Sequence, residues 1–246
     1  ATEQWLAQRL IADEYVRTSN PEEFAMWVDA SGTPVEVFPR ENVQAQLLRN
    51  DNSVYKTPTS FHLSSYPINM DYQQAMLFEN VEDKAWQKFK SGAGILVNQQ
   101  FALKQNLSLG DMLSFSTGAL NIEDKVIVGI YYDYGNQRAE ALLPLDKFAT
   151  IDSTTSSFAV HFSNAHEQQQ FHNAFSANNF KSPTQKINTA ELLARSMQTF
   201  DRTFVITDSL NIVTLLVAAL SLATSVLMID MDNRPQRTLM RSLGVS

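Results

Sequence analysis

The chain has 246 residues and no cysteine. This absence excludes disulfides, thiolate metal sites and thiol catalysis, and it leaves the compartment open, because such a chain is stable in reducing and oxidising surroundings alike. Histidine is scarce too, with four residues, and His161, His166 and Glu167 lack the helix-face spacing of a zinc motif. We therefore expect no metal site.

Phosphate-binding features are also missing. Gly92-Ala93-Gly94 is a pair of glycines without the Gly-Lys-Ser or Gly-Lys-Thr that completes a P-loop, so no ATP is expected to bind by that route. With 19 basic and 26 acidic residues the formal net charge is -7, and such a composition supplies no basic face for nucleic acid. We expect no cofactor and no nucleic-acid partner.

Paired carboxylates occur twice, at Glu22-Glu23 and at Glu82-Asp83. Both pairs favour the first turns of helices, where negative charge faces the positive end of the helix dipole, over general acid and base catalysis. The sequence therefore predicts a protein that is not an enzyme.

One long run carries no charge, from Leu210 to Ile229, between Asp208 and Asp230. A helix of that length reaches ~30 Å, the thickness of the hydrocarbon core of a bilayer. The run predicts a transmembrane helix. A core helix of a soluble protein is the alternative, because polar residues such as Asn211 and Thr214 dilute the apolar character.

The orientation of this helix follows from the basic residues after it. Arg234, Arg237 and Arg241 lie within ~15 residues of the run, which by the positive-inside rule places residues 230–246 in the cytoplasm and the preceding domain outside. Residues 1–19 have neither a basic segment nor an apolar one, so they do not resemble a signal peptide. We interpret the chain as cut from a longer protein with a preceding membrane segment.

Two strand-helix-strand units are predicted, one near each end of the soluble part. In the first, Pro21 opens a helix that ends at Ser31-Gly32-Thr33-Pro34, and Val35–Phe38 is a strand. The second has a strand at Phe158–Phe162, a helix at His166–Ala177 and a strand at Pro183–Ile187. Such a pattern is typical of an α+β domain built from two βαβ-like halves.

The middle of the chain predicts a β-rich subdomain inserted between these halves. Gly94–Val97 is a buried strand, Asn98 is placed to cap the helix after it, and Met112–Phe115 and Lys125–Tyr132 are further strands. Val81–Lys90 predicts a short amphipathic helix.

A long helix is predicted after the second unit. Asn188 with Glu191 three residues later forms a capping-box pattern, and the apolar spacing beyond it is that of a coiled-coil seam. The predicted organisation is a βαβ-type domain in residues 1–60 and 151–190, an inserted subdomain in 61–150, a stalk in 191–209, a transmembrane helix in 210–229 and a cytoplasmic segment in 230–246.

Several motifs resemble those of FtsX/MacB-type ABC transporter permeases. The run Phe200 to Phe204, the uncharged span, Arg234 and the segment Leu239 to Gly244 resemble the second membrane helix and the cytoplasmic coupling segment of that family. Segments 97–115 and 128–145 resemble its extracytoplasmic domain, and residues 5–15 resemble the exit from the preceding helix. Gln236, Arg237 and Thr238 depart from the usual glutamate, aliphatic residue and glycine, and Pro235 interrupts the arginine cluster.

The resemblance implies a periplasmic domain on a membrane anchor in the bacterial inner membrane. Such a domain transmits across this membrane the motion driven by ATP hydrolysis in a separate cytoplasmic ATPase subunit, for mechanotransmission and export or for the extraction of lipids or lipoproteins. The resemblance also implies contacts with other transmembrane helices of a parent permease and with a periplasmic adaptor or lipoprotein. The residues that it places at the ATPase are Arg234, Leu239, Arg241, Leu243 and Gly244.

Two other functions fit the sequence. One is a periplasmic ligand-binding or enzymatic domain that a single helix tethers to the membrane without an ATPase partner, which requires a deep pocket with convergent polar groups. The other is a soluble protein whose apolar helix mediates self-association.

Overall fold

The computed structural model describes residues 11–50, 59–133, 136–191, 208–225 and 227–228, with only the backbone described for residues 49 and 50. The chain divides into two units, residues 1–193 and residues 194–246. The first unit holds all the strands among these residues, and the second holds the apolar helix.

The first unit begins with a strand-helix-strand segment whose ends are set by local sequence. Strand β1 is Glu14–Thr18, helix α1 is Pro21–Ser31 and strand β2 is Glu36–Asn50. The Asn20 side chain caps α1 by accepting from the backbone N of Glu23, and Gly32 ends it with φ of 61°. A left-handed φ favours glycine at a helix C-terminus, so the predicted bounds of this helix are confirmed.

Nine strands and α-helices and one 3-10 helix follow before the second strand-helix-strand segment. They are β3 (Thr59–Tyr66), α2 (Met70–Ala75), β4 (Phe78–Val81), α3 (Ala85–Ser91), β5 (Gly94–Asn98), α4 (Gln99–Gln105), β6 (Met112–Thr117), β7 (Leu120–Tyr131) and β8 (Glu140–Pro144). A 3-10 helix at Leu145–Thr150 leads to β9 (Thr154–His161), α5 (Ala165–Ala177) and β10 (Thr184–Asn188).

Four strands form an antiparallel sheet in the order β10-β1-β9-β2. Together with the two helices that cover it, this sheet is the α/β layer of the first unit. Strands β1 and β2 are parallel with β9 between them, and β9 and β10 are parallel with β1 between them. This is the interleaved pair of split βαβ units of a ferredoxin-like fold. The predicted α+β class, with two βαβ-like halves around a β-rich insertion, is confirmed.

Helices α1 and α5 cover one face of the α/β layer. Phe24 of α1 packs on Phe158 of β9, with 4.8 Å between ring centroids, and Trp27 packs edge-on against Phe171 and Phe175 of α5 at 5.6 and 5.8 Å. Burial of each large aromatic side chain contributes about 1.5–3 kcal/mol, so this cluster holds both helices on the sheet.

The insertion closes into a six-stranded barrel. Strand β2 pairs with β3 and also with β6, and the ladder runs β2-β3-β8-β5-β7-β6 back to β2. Its interior is filled by alternate residues of the strands and by Phe101 of α4, which stacks on Phe61 at 4.7 Å. Both faces of β5 are buried, because Ile95 faces the interior and Leu96 packs beneath α3.

Several predicted strands differ from the structure in their bounds, since β7 begins at Leu120 and β9 at Thr154, and two differences have a clear cause in strand pairing. Val81 belongs to β4 and not to a helix over Val81–Lys90, because its backbone pairs with Gly129 of β7 and the helix begins only at Ala85. The strand predicted at Val35–Phe38 continues to Asn50, since β2 pairs first with β9 and then with the barrel strands.

Candidate functional site

The second unit contains a helix that suits a membrane. Among the residues described, Asp208–Ser225 is the one helix long and apolar enough to cross a bilayer, and its side chains are exposed on every face. At ~1.5 Å per residue it is ~27 Å long. No charged residue follows Asp208 within it.

Three hydroxyl groups in this helix donate to carbonyls of the helix itself. Thr214 donates to the carbonyl of Leu210 at 2.8 Å, and Ser221 donates to the carbonyl of Val217 at 2.9 Å. Thr224 donates to Leu220 O at 3.0 Å. Because lipid offers no hydrogen-bond partner, these bonds make the polar residues compatible with the hydrocarbon core.

The predicted contact residues for an ATPase lie outside the described part of the chain. This holds for Arg234, Leu239, Arg241, Leu243 and Gly244, and for nearly all of the predicted stalk in residues 191–209. Their roles stay predictions. At the start of the stalk, Asn188 Oδ1 accepts from the backbone N of Ala190 at 2.8 Å.

A cavity of about 160 Å³ lies in the first unit, between the α/β layer and the barrel. Tyr15 of β1 lines it on the face of the layer opposite α1 and α5, because the adjacent Val16 packs with Phe24 and Phe171. Helix α2 and the ends of the barrel strands supply the other walls. The lining includes four more tyrosines and four charged residues: Tyr66, Tyr72, Tyr131, Tyr132, Arg40, Glu41, Asp133 and Glu140.

Tyrosine hydroxyls connect β3, α2 and β9 beside the cavity. Tyr66 donates to the backbone O of Tyr72 at 2.7 Å, and the hydroxyl of Tyr72 lies 3.0 Å from Nε2 of His161 at the end of β9. Burial raises the pKa of Tyr66 and of Tyr72 above the ordinary tyrosine value, so both phenols stay neutral. Burial lowers the pKa of His161 below its ordinary value, which favours the neutral imidazole beside Tyr72.

Carboxylates and amides form the polar wall of the cavity. The Nδ2 of Asn136 donates to Oδ2 of Asp133 at 2.6 Å and to Oε2 of Glu140 at 3.0 Å. Ser64 donates to Oε1 of Glu140 at 2.7 Å. Asp133 is 5% exposed, so its charge sits in a partly desolvated setting.

The histidines considered for a metal site have separate partners. His161 contacts Tyr72, while Nε2 of His166 lies 3.0 Å from Nε2 of Gln170 on the exposed face of α5. Within the described ranges, no group of three or more histidine, aspartate or glutamate side chains is placed to hold a metal ion.

Sequence reasoning did not predict the cavity residues, because they come from seven elements spread over most of the first unit. A local signal was present in Tyr131-Tyr132-Asp133, because Tyr131 ends the buried half of β7 and a second aromatic residue and a carboxylate follow it directly. Polar and aromatic side chains at the end of a buried strand often mark a lined cleft.

Comparison with known proteins gave similarities at the level of structure. The periplasmic region of MacB from Actinobacillus actinomycetemcomitans matches with a TM-score of 0.48 and 13% identity, over 76% of this chain and 92% of that one. The extracellular domain of the noncanonical ABC-type transporter YknZ from Gram-positive bacteria matches at 0.43 and 14%, over 70% and 90%. A domain of a permease protein from Porphyromonas gingivalis matches at 0.40 and 13%, over 72% and 89%.

This chain is similar in fold to extracytoplasmic domains of ABC-type transporter permeases. The predicted resemblance is therefore confirmed as a likeness of fold. No protein-family model matches the sequence, and a search of curated proteins found no match.

Proposed function

We propose that this chain is the extracytoplasmic part of an ABC transporter permease in the bacterial inner membrane, which transmits ATP-driven motion to its periplasmic domain. The observation that carries the proposal is the helix Asp208–Ser225, which has no charged residue after Asp208, is exposed on all faces and follows the α+β unit in sequence. A water-soluble domain joined to such a helix has the organisation of a membrane-anchored domain.

The partners proposed for this permease are those that the family resemblance implies. A cytoplasmic ATPase subunit contacts the segment after the span, through Arg234, Leu239, Arg241, Leu243 and Gly244. Other transmembrane helices of the parent permease pack on the small and hydroxylated residues of the span, such as Ala218 and Ser221, where backbones approach closely. A periplasmic adaptor or lipoprotein binds the folded unit.

Site-specific photo-crosslinking tests the ATPase contact. A photoreactive amino acid is placed at Leu243 in the full chain in its native host, and at Gln169 on the exposed side of α5 as the control. The proposal predicts that the Leu243 probe crosslinks a cytoplasmic ATPase and that the Gln169 probe does not. Crosslinking of Leu243 only to periplasmic proteins would contradict it.

A flexible insertion tests the transmission of motion. A four-residue Gly-Ser segment within residues 191–209 should leave ATP hydrolysis by the associated ATPase intact and abolish the permease-dependent phenotype, because a flexible segment cannot carry force. The control is an alanine-rich insertion of seven residues, which keeps the heptad phase. Equal activity of both variants would exclude a mechanical stalk.

A membrane-tethered ligand-binding domain without an ATPase partner is the second candidate, and the cavity beside Tyr15 and Asp133 is the observation that favours it. Its volume of about 160 Å³ lies below the roughly 300–1,000 Å³ that sites for drug-sized ligands occupy. This candidate predicts no crosslink between the Leu243 probe and an ATPase.

A further inference from the structure

A helix begins directly after the edge strand β10. This strand has five residues and, in the described part of the chain, pairs only with β1, so its other edge has no neighbouring strand. Residues 189–191 are helical and follow Asn188, the last residue of β10, without a loop. These residues lead into the predicted stalk, so a load that the stalk carries enters the first unit at the end of β10.

An edge strand that is loaded at one end peels from its neighbour unless contacts at that end hold it. In an antiparallel pair the hydrogen bonds are perpendicular to the strands, so a force that pulls Asn188 away from β1 acts on these bonds one after another. The bonds closest to Asn188 carry the load first. Whether β10 stays on the sheet therefore depends on the contacts at this end of the strand.

Thr189 supplies two hydrogen bonds at the loaded end. Its backbone N donates to the carbonyl of Asp13 at 3.0 Å, and its Oγ1 donates to the carbonyl of Ala12. The backbone bond extends the ladder of β1 and β10 by one position beyond its last pair, Glu14 with Asn188. Ala12 is 1% exposed, so the bond from Oγ1 is partly shielded from competing water.

The residues next to Thr189 are fixed in turn to other elements of the α/β layer. Oδ2 of Asp13 accepts from the backbone N of Phe162, directly after β9, at 2.9 Å. Oε1 of the adjacent Glu14 lies 2.6 Å from Nε2 of His172 on α5. The contacts of Thr189 thus connect the end of β10 with β9 and α5 as well as with β1.

The opposite end of the same strand pair has a simpler contact. The hydroxyl oxygens of Thr18 and Thr184 lie 2.9 Å apart, and these two residues form the last register pair at that end. Their bond joins β10 to β1 only. Because it is farthest from the stalk, a load that enters at Asn188 reaches it last.

We propose that Thr189 and Asp13 form a mechanical clamp, which keeps β10 on β1 when a load passes from the stalk into the first unit. Thr189 holds the end of β10 to β1, and Asp13 holds β1 to the end of β9, so the four-stranded sheet moves as one body. The use of this clamp in transport rests on the function proposed above, whereas its resistance to load is a property of the first unit alone.

Optical tweezers test the clamp on the full chain in detergent micelles. The chain has no cysteine, so DNA handles attach only to introduced ones. Leu103→Cys on the exposed side of α4 and Thr199→Cys in the predicted stalk place the end of β10 in the load path. Leu103→Cys with Gln169→Cys on the exposed side of α5 gives a load path that does not pass through β10. The readout is the unfolding rate at constant force.

Three substitutions of β10 and the residue after it measure the contribution of the clamp. Under load through Thr199, Thr189→Val should unfold about fivefold faster than the parent chain, because it loses one hydrogen bond and keeps the shape of the side chain. Thr189→Ser retains the hydroxyl and should stay within about twofold of the parent rate. Thr184→Val, the matched control at the far end of β10, should also stay within about twofold.

A second pair of variants tests the link from β1 to β9. Asp13→Ala removes the acceptor for the backbone N of Phe162, so unfolding under load through Thr199 should be about threefold faster or more. Asp13→Asn keeps an oxygen acceptor and should stay within about twofold of the parent chain. Thermal unfolding of every variant checks that it is folded, and equal rates for these two variants would contradict a role of Asp13.

The direction of the load distinguishes a clamp from a contact that only stabilises the fold. Thr189→Val should leave the unfolding rate unchanged when the load passes between residues 103 and 169. Equal acceleration in both loading geometries, or equal effects of Thr189→Val and Thr184→Val, overturns the proposal. The crosslink from Leu243 tests the transport function separately, so a missing crosslink contradicts that function and not the clamp.

Discussion

The side chain of Asn98 is bonded to the backbone of Glu140, 42 positions away in sequence: Oδ1 of Asn98 accepts from the Glu140 N at 3.1 Å. The same oxygen accepts from the Phe101 N at 2.9 Å, and Nδ2 donates to Arg138 O at 2.9 Å. One fully buried amide thus joins the end of β5, the start of α4 and the entrance to β8.

Replacing Asn98 by alanine should therefore cost more than the loss of an ordinary helix cap. Three backbone groups lose their partner, at least one of them deeply buried, so we expect a loss of about 2–4 kcal/mol in the free energy of unfolding. Asn164→Ala is the matched control, because Asn164 caps α5 on the surface, and it should cost about 1 kcal/mol. Denaturant titration measures both, and equal losses would show that the links to residues 138 and 140 contribute nothing.

Gly129 of β7 is required by close packing. A Cβ at this position would meet Phe78 at 2.7 Å and Leu96 at 2.8 Å, so Gly129→Ala should destabilise the chain by about 1–3 kcal/mol. Gly118 lies in open space with φ of 58°, which asparagine tolerates, and Gly118→Asn should change stability little. Thermal unfolding compares the two, and a neutral Gly129→Ala would contradict the close packing of Phe78 and Leu96 on Gly129.

A hydrogen bond between buried Glu14 and partly buried His172 connects β1 to α5. Oε1 of Glu14 lies 2.6 Å from Nε2 of His172, and within the described residues Oε2 of Glu14 has no hydrogen-bond partner. His172→Leu should destabilise by about 1–3 kcal/mol, because it leaves the buried carboxyl group of Glu14 without its hydrogen-bond partner. The double variant Glu14→Leu, His172→Leu should recover most of that loss in a double-mutant cycle. Additive losses would show that the two groups do not interact.

His161 gives the fold a predictable response to acid. Its pKa is lower in the folded chain than in the unfolded chain because burial disfavours the imidazolium, against the charges of Asp13, Glu36 and Asp71. The unfolded chain then binds the proton more readily, so stability is greatest above the ordinary histidine pKa of about 6.5 and falls as the pH drops below it.

The measurement for His161 is the melting temperature between pH ~7.5 and ~5. It should fall less in His161→Gln, which has no titrating ring, than in the parent chain. His166→Gln, on the exposed face of α5, serves as the control and should keep the parent's pH dependence. If His161→Gln melts with the same pH dependence as the parent, burial of His161 does not contribute to it.

The features that could be predicted from the sequence are those that short segments determine. The Asn98 cap, the end of α1 at Gly32 and the buried strand Gly94–Asn98 depend on neighbouring residues, and each is present. The uncharged run could be recognised for the same reason, because its length and composition alone identify it as a candidate membrane helix.

The features that could not be predicted depend on pairing between distant segments. Strand β2 has 15 residues because its first half pairs with β9 and its second half closes the barrel. The apolar neighbours of Val81 predict a helix, but its backbone pairs with β7 and it belongs to a strand. Tyr15 and Asp133 line the same cavity although they are 118 positions apart in sequence. No periodic pattern in the sequence indicates that these two residues lie close together.

Cysteine accessibility in intact cells tests the central claim most directly. The chain contains no cysteine, so single substitutions can be labelled without background. The full chain is expressed in a bacterium with two membranes, carrying either Gln169→Cys in α5 or Ser246→Cys at the end of the tail, and is treated with a maleimide that enters the periplasm but cannot cross the inner membrane.

A helix that crosses the inner membrane predicts labelling of Gln169→Cys in intact cells, and labelling of Ser246→Cys only after the inner membrane is permeabilised. Labelling of both positions before permeabilisation, or recovery of the chain in the soluble fraction with both positions protected in intact cells, would contradict a membrane-spanning Asp208–Ser225.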